Sequence, residues 1–270
     1  MAMLLTVNGA RTFCYTGGKP FDAENPTVVF LHGVLNDHSV WILQTRYFAH
    51  HGWNVLAVDL PGHGKSEGKP PKSVEEAAEF VVALLDAAKV SQAALVGHSF
   101  GALVALEAAA RAPSRVSQLA LVGVAYPMKV SPALLENSQH QPMKAIDMVN
   151  VYSHSMMAPP PSSHGPGSWL HGGSRALMRR VLASNPRVNV FHRGFAACDR
   201  YAGGEAAIGK VACPVLFLLG SKDAMTPPKA AHLLQQQAKN AKTVVVGAGH
   251  QMMSEAPDAV LFALRDFLRS

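Results

Sequence analysis

Gly97-His98-Ser99-Phe100-Gly101 sets a serine between two glycines. There an apolar run, Ala93 to Val96, gives way to a helix-forming run, Ala102 to Ala112. A strand, a tight turn and a helix in that order lift the serine hydroxyl clear of a sheet. The hydroxyl then lies at a helix N-terminus, where free N–H groups and the helix dipole favour developing negative charge. Serine is a weak nucleophile until a base takes its proton during attack. A base and an acid are therefore sought at other strand ends, because ligands of open α/β sheets sit at the carboxyl ends of the strands.

Two such positions stand out. Gly220-Ser221-Lys222-Asp223 follows the run Val215 to Leu219, and Gly247-Ala248-Gly249-His250 follows Val244 to Val246. His250 can serve as base and then acid near neutral pH, its ordinary pKa being ~6.5. Asp223 would hold the ring tautomer and stabilise the imidazolium without taking the proton itself, although an acid in such a turn can also cap a helix. The order Ser99, Asp223, His250 is that of a nucleophile-elbow hydrolase. Leu31-His32-Gly33-Val34 ends another strand, and its glycine lets the next amide face the site. Val34 and Phe100 N–H groups are the expected oxyanion donors, each worth about 3 kcal/mol in a transition state. His32 and His98 are read as hydrogen-bonding the loops that aim those amides, Asn36 and Asp37 as loop caps, and Asp59 as the head of an Asx-type turn over Pro61 to Gly64.

The elements that must hold these groups alternate along the chain. Strand-like runs at Val28–Leu31, Val55–Val58, Leu95, Leu119–Val122, Val215–Leu219 and Thr243–Val246 are separated by helical patterns at Val40–His51, Ser73 onward, Ala102 onward, Lys229–Ala238 and Pro257–Arg269. Ser73 with Glu76 forms a capping box. Continuous apolar strands between amphipathic helices indicate a largely parallel α/β sheet covered on both faces. The rhythm fails from about Tyr126 to Gly203, too long a span for an ordinary loop. Residues 126–203 are therefore expected to form an inserted helical cap, and 1–125 with 204–270 the core. Six of the eleven methionines fall in this segment, beside Trp169. Such adaptable apolar side chains suit either a lid over a hydrophobic cavity or the segment's own small core. Leu35, Met128, Met157, Trp169 and Met252 are the candidate substrate contacts; no residues form a metal-binding pattern.

The same segment carries eight basic residues (Lys129, Lys144, Arg175, Arg179, Arg180, Arg187, Arg193, Arg200) against Glu136, Asp147 and Asp199, which is most of the chain's net charge of +6. Its Pro, Gly and Met content does not suit a nucleic-acid stripe, so the charge reads as a solvated basic face or as attraction for anionic substrates. Cys14, Cys198 and Cys213 have neither metal nor redox spacing, the reading for reduced thiols in a cytoplasmic protein. No segment reads as a secretory signal or a membrane span. The oligomeric state is not legible.

Leu31-His32-Gly33, Asp59-Leu60-Pro61-Gly62-His63-Gly64-Lys65-Ser66, Gly97–Gly101, Gly220–Asp223 and Gly249-His250 together resemble the signatures of the α/β-hydrolase fold family, from about Thr27 to the C-terminus outside the cap. The resemblance is to its small, capped, carboxylesterase-like members. It implies a mostly parallel eight-stranded sheet, no cofactor, and hydrolysis of a small or medium acyl substrate through an acyl-enzyme. Serine at the elbow argues against the dehalogenase and epoxide-hydrolase branches, which use aspartate there. The short Gly33-Val34-Leu35 loop disfavours bulky tertiary-alcohol esters. Alternatives that share these residues are meta-cleavage C–C hydrolysis, with Arg175 or Arg193 on a substrate carboxylate, perhydrolase or acyltransferase chemistry, and a ligand receptor with vestigial hydrolysis.

Overall fold

The computed structural model describes residues 1–22, 24–155 and 169–269. Eight strands form one sheet in the order β1-β2-β4-β3-β5-β6-β7-β8. They are β1 (Ala2–Val7), β2 (Ala10–Tyr15), β3 (Thr27–Leu31), β4 (Asn54–Val58), β5 (Ala93–His98), β6 (Val116–Val122), β7 (Val215–Gly220) and β8 (Ala241–Val246). Strands β3 to β8 pair in parallel, and β1 and β2 add an antiparallel edge on β4. The sequence reading missed this hairpin. Its signal is Asn8-Gly9, both residues at positive φ (51° and 77°), as a two-residue hairpin turn requires.

Successive residues of the buried strands serve opposite faces, as the pleat demands. Val29, Leu31, Leu95, Leu119, Leu121 and Phe217 join the cluster under α2 (Val74–Ala87), α3 (Phe100–Arg111) and α8 (Gly204–Lys210). Val28, Phe30, Val96, Ala120, Leu216 and Leu218 join the one under α1 (Ile42–His50) and α11 (Pro257–Leu268). The short α9 (His232–Gln237) packs beside α8 on the first face, and α10 (Met252–Glu255) beside α11 on the second. Helix α2 begins as its sequence requires: Ser73 Oγ accepts from Glu76 N at 3.2 Å, while the Glu76 carboxylate accepts from Lys72 N, one residue earlier than in the standard box.

Between β6 and β7 lie α4 (Pro132–His140), α5 (Pro142–Ser153), α6 (Leu170–Ser184) and α7 (Val190–Arg200). They share an apolar cluster of their own, including Leu134, Ile146, Val149, Met178, Val181 and Phe191. Several polar ties anchor this segment to the core, two of them close to the residues singled out above. Glu255 accepts from Ser155 N and from Gly249 N beside His250, and the exposed Arg180 reaches buried Asp37 at 2.8 Å. Among the described residues no helix is long and apolar enough to cross a membrane. All three cysteines are free thiols, with Cys14 and Cys198 buried.

Candidate active site

Ser99 occupies the turn between β5 and α3 with φ 54° and ψ −117°. A non-glycine residue there is strained, and such strain persists only where the surroundings enforce it. Ser99 N–H is held by Val122 O at 2.9 Å. The two flanking glycines are obligatory for contact reasons. A methyl group at Gly97 would run into the Gly101 carbonyl, and one at Gly101 would lie 2.5 Å from Leu31 O. Phe100 opens α3, so its N–H lacks a helical acceptor. Val34 follows Gly33 on the neighbouring strand end, and its side chain packs against Gly194 of α7.

His250 and Asp223 are in direct contact, Nδ1 to Oδ2 at 2.8 Å, and both are buried. Asp223 also accepts from Met225 N and Thr226 N at its other oxygen. Burial pushes the Asp223 carboxyl up, but the His250 charge and the hydrogen bonds from His250 and Thr226 outweigh it, leaving the carboxyl below its ordinary range. With Nδ1–H donated to Asp223, Nε2 keeps its lone pair free to accept a proton.

Sequence reasoning overlooked Thr226. Its Oγ1 lies 2.7 Å from Asp223 Oδ2, 3.0 Å from His250 Nδ1 and 2.9 Å from Gly123 O. One hydroxyl thereby ties the acid, the base and the end of β6 together. The only hint in the chain is a hydroxyl residue three places after Asp223 and directly before Pro227-Pro228.

The other histidines hold loops. His32 donates Nδ1–H to Gly33 O at 2.9 Å and accepts at Nε2 from Leu60 N. His98 donates Nε2–H to His250 O at 2.9 Å, fixing the backbone of the candidate base. Burial, reinforced by the neighbouring His250, lowers the His98 pKa to about 3, so its ring is neutral at physiological pH. Asp37 caps the 3-10 turn at His38–Trp41 by accepting from Ser39 N. Asp59 does not form an Asx turn. Its carboxylate accepts from Lys65 N, which closes the Leu60–Gly64 turn, and also from His38 N and His38 Nδ1, which ties that turn to a second loop. Asp37, His38 and Asp59 present three potential metal-ligating atoms close together, but Arg180, Ser39 and Lys65 already engage the carboxylates.

Ser99, Thr226 and His250 line a cavity of about 420 Å³, walled by Met128, Val130, Leu134, Met148, Phe195 and Met225. Of the candidate substrate contacts, Met128 is on this wall and Met157 lies outside the described residues. The other three are elsewhere. Leu35 has φ 57°, which turns it into the buried cluster of α4 to α7. Met252 begins α10 with its side chain in the core cluster of Trp41 and Val246. Trp169 is 65% exposed and borders a separate groove with Leu43 and Leu177. The two arginines considered for carboxylate binding are engaged outside the cavity: Arg175 pairs with Asp147 at 2.6 Å, and Arg193 donates to Pro70 O. Lys129 is the one lysine or arginine among the described residues on the cavity wall, with Nζ on Asp199 O.

Comparison with known proteins agrees with this architecture. Residues 26–152 match the family model described as alpha/beta hydrolase fold, and residues 199–270 match one described as TAP-like protein. A pimeloyl-[acyl-carrier protein] methyl ester esterase of Pectobacterium carotovorum is 29% identical over 247 residues, covering 88% of this chain and 92% of its own. The enzyme of that name from Neisseria meningitidis serogroup C is 29% identical over 229 residues, covering 80% and 83%. A solved thermophilic esterase superposes with a TM-score of 0.80 at 26% identity, over 100% of this chain and 97% of its own. The parallel sheet, the serine elbow and these relatives agree on an esterase-like hydrolase with the α/β-hydrolase fold.

Proposed function

We propose that the chain hydrolyses carboxylic esters of apolar acids through an acyl-enzyme on Ser99. The observation that carries this reading is the buried 2.8 Å contact between His250 and Asp223, opening on the same apolar cavity as Ser99. In the first step Ser99 Oγ attacks the ester carbonyl and His250 Nε2 takes its proton. The negative oxygen that forms accepts hydrogen bonds from the Val34 and Phe100 N–H groups. As the tetrahedral intermediate collapses, the C–O bond to the alcohol breaks and His250 delivers its proton to that oxygen. Water then attacks the acyl-enzyme, again giving a proton to His250, and the carboxylic acid leaves as Ser99 regains its hydrogen. Asp223 remains ionised throughout and stabilises the imidazolium.

The apolar wall formed by Met128, Leu134, Met148, Phe195 and Met225 supplies the acyl subsite. Burying an acyl chain there contributes roughly 0.8 kcal/mol per methylene. A fluorophosphonate probe tests the assignment directly. The expected result is stoichiometric labelling, mapped by mass spectrometry to the peptide containing Ser99, with loss of hydrolysis of simple aryl esters. A folded protein that hydrolyses such esters without labelling at Ser99 overturns it.

A further inference from the structure

Main-chain atoms of the turn that presents His250 are anchored from two sides. On the core side, Ala248 O accepts from Lys222 N at 3.0 Å and His250 O accepts from His98 Nε2 at 2.9 Å. The other side is the end of α5, in the segment between β6 and β7. Ser153 O accepts from Gln251 N at 2.9 Å. Gly249 N donates to Glu255 Oε2, while Glu255 Oε1 accepts from Ser155 N at 2.8 Å and from Ser155 Oγ at 2.9 Å. The two segments pack without a gap. A methyl group at Gly249 would lie 2.7 Å from Ser153 O and from Ser155 N, and 2.9 Å from Glu255 Oε2.

We propose that Glu255 is a positioning residue for the base, clamping the His250 turn to the end of α5 so that the α4–α7 segment sets the aim of His250 Nε2. The assignment rests on the Ser99 acyl-enzyme proposed above. Glu255 is not on the wall of the cavity at Ser99 and acts through Gly249 N, one residue before the base. The bond from Nδ1 to Asp223 holds one edge of the imidazole, and the turn decides where the opposite edge, with Nε2, points. Proton transfer needs Nε2 within about 2.6–3.2 Å of the serine oxygen, and a misplacement of about 1 Å costs on the order of a hundredfold. A carboxylate suits this place because the Glu255 partners named above are all donors, reaching different oxygens from two segments. Glutamine has the same shape but one accepting oxygen and an NH2 that only donates. It can serve the Gly249 N–H or the Ser155 N–H, and the clamp between them is lost.

Hydrolysis of p-nitrophenyl butyrate by Glu255→Gln tests the clamp. In protein folded by circular dichroism, kcat is expected to fall about tenfold with KM within about twofold, and the rate of Ser99 labelling by a fluorophosphonate to fall in parallel. Ser155→Ala removes a hydroxyl from the α5 side alone. It is expected to lower kcat about threefold in the parent and to add nothing in the Glu255→Gln background, because its effect passes through the carboxylate. Where Glu255→Gln does not fold, Gly249→Ala presses the α5 end away from the same turn and is expected to give the same loss of kcat. A folded Glu255→Gln or Gly249→Ala with parental kcat overturns the assignment. A loss confined to KM or to thermal stability does so too, as do additive effects of Ser155→Ala and Glu255→Gln. With the parent labelled at Ser99, these results overturn the clamp alone. A folded parent that is neither labelled at Ser99 nor active on the ester overturns both readings.

Discussion

Strands β3 to β8 place Ser99, Asp223 and His250 through main-chain geometry, whereas helices α4 to α7 shape the cavity beside them through side chains. Around Ser99 the backbone has little freedom. The left-handed φ, the bond from Ser99 N to Val122 O and the two glycine contacts leave one arrangement. The α4–α7 segment has a separate apolar cluster and is tied to the core by such contacts as Glu255 with Ser155 and Arg180 with Asp37. Chemistry built on main-chain constraint tolerates few substitutions at its turns. A cavity built from Met, Leu and Val can change shape while the chemistry stays constant, because apolar packing is non-directional.

The sharpest way to break this comparison is Ser99→Ala. Hydrolysis is expected to fall about a thousandfold or more while the thermal transition stays within a few degrees of the parent, because only the nucleophile is removed. Substantial residual turnover would remove Ser99 from the chemistry. Two methionine truncations separate the regions next. Met252→Ala, in the core, is expected to cost about 2–5 kcal/mol in denaturant unfolding, with little change in preference among acyl lengths. Met128→Ala, on the cavity wall, should alter that preference; identical behaviour of the two would collapse the distinction.

Thr226→Val removes a hydroxyl from the acid–base pair at nearly constant shape. A fall in kcat of about tenfold is expected, corresponding to roughly one hydrogen bond to a charged group, with KM little changed. Thr226→Ser should restore kcat. A loss shared equally with KM, or no rescue by serine, would reduce Thr226 to packing.

Stability should also depend on pH through the buried loop histidines. Burial lowers His98 to about 3 and His63 to about 4. The unfolded chain takes up protons at these residues below pH ~6.5, while the folded chain does not. Their stabilising contribution is thus complete above that pH and is lost as pH falls toward the folded values, at about 1.4 kcal/mol per pH unit for each histidine. His63→Asn should reduce the slope by one proton, and an unchanged slope between pH 6 and 5 would show that His63 titrates normally. The smallest effect belongs to the tie between the regions. Arg180 is 63% exposed, so Arg180→Ala should change unfolding free energy by less than about 1 kcal/mol. A larger loss would mean that the α4–α7 segment and the core are energetically inseparable.

Much of the core was legible because its signals are local. Continuous apolar runs marked the buried strands, and the residues just past their ends included Ser99, Asp223, His250 and Val34. Thr226 was not legible, because its role depends on a hydroxyl meeting Asp223, His250 and Gly123, which are up to 103 residues away. Asp59 was legible only in part for the same reason: its bond to Lys65 N is local, but His38 comes from another loop. Leu35 and Met252 adjoin site residues in sequence, yet a positive φ at one and the first turn of α10 at the other direct both away from the cavity.

By itself the sequence determined the alternation of strands and helices, the elbow at Ser99 and the chain order of the three candidate catalytic groups, because backbone sterics and hydrophobic periodicity act over a few residues. Only the tertiary structure decided which methionines line the cavity beside Ser99, and how Thr226 joins the acid and the base. Those features are set by side chains brought together from distant segments, and their contact depends on packing that no local pattern encodes.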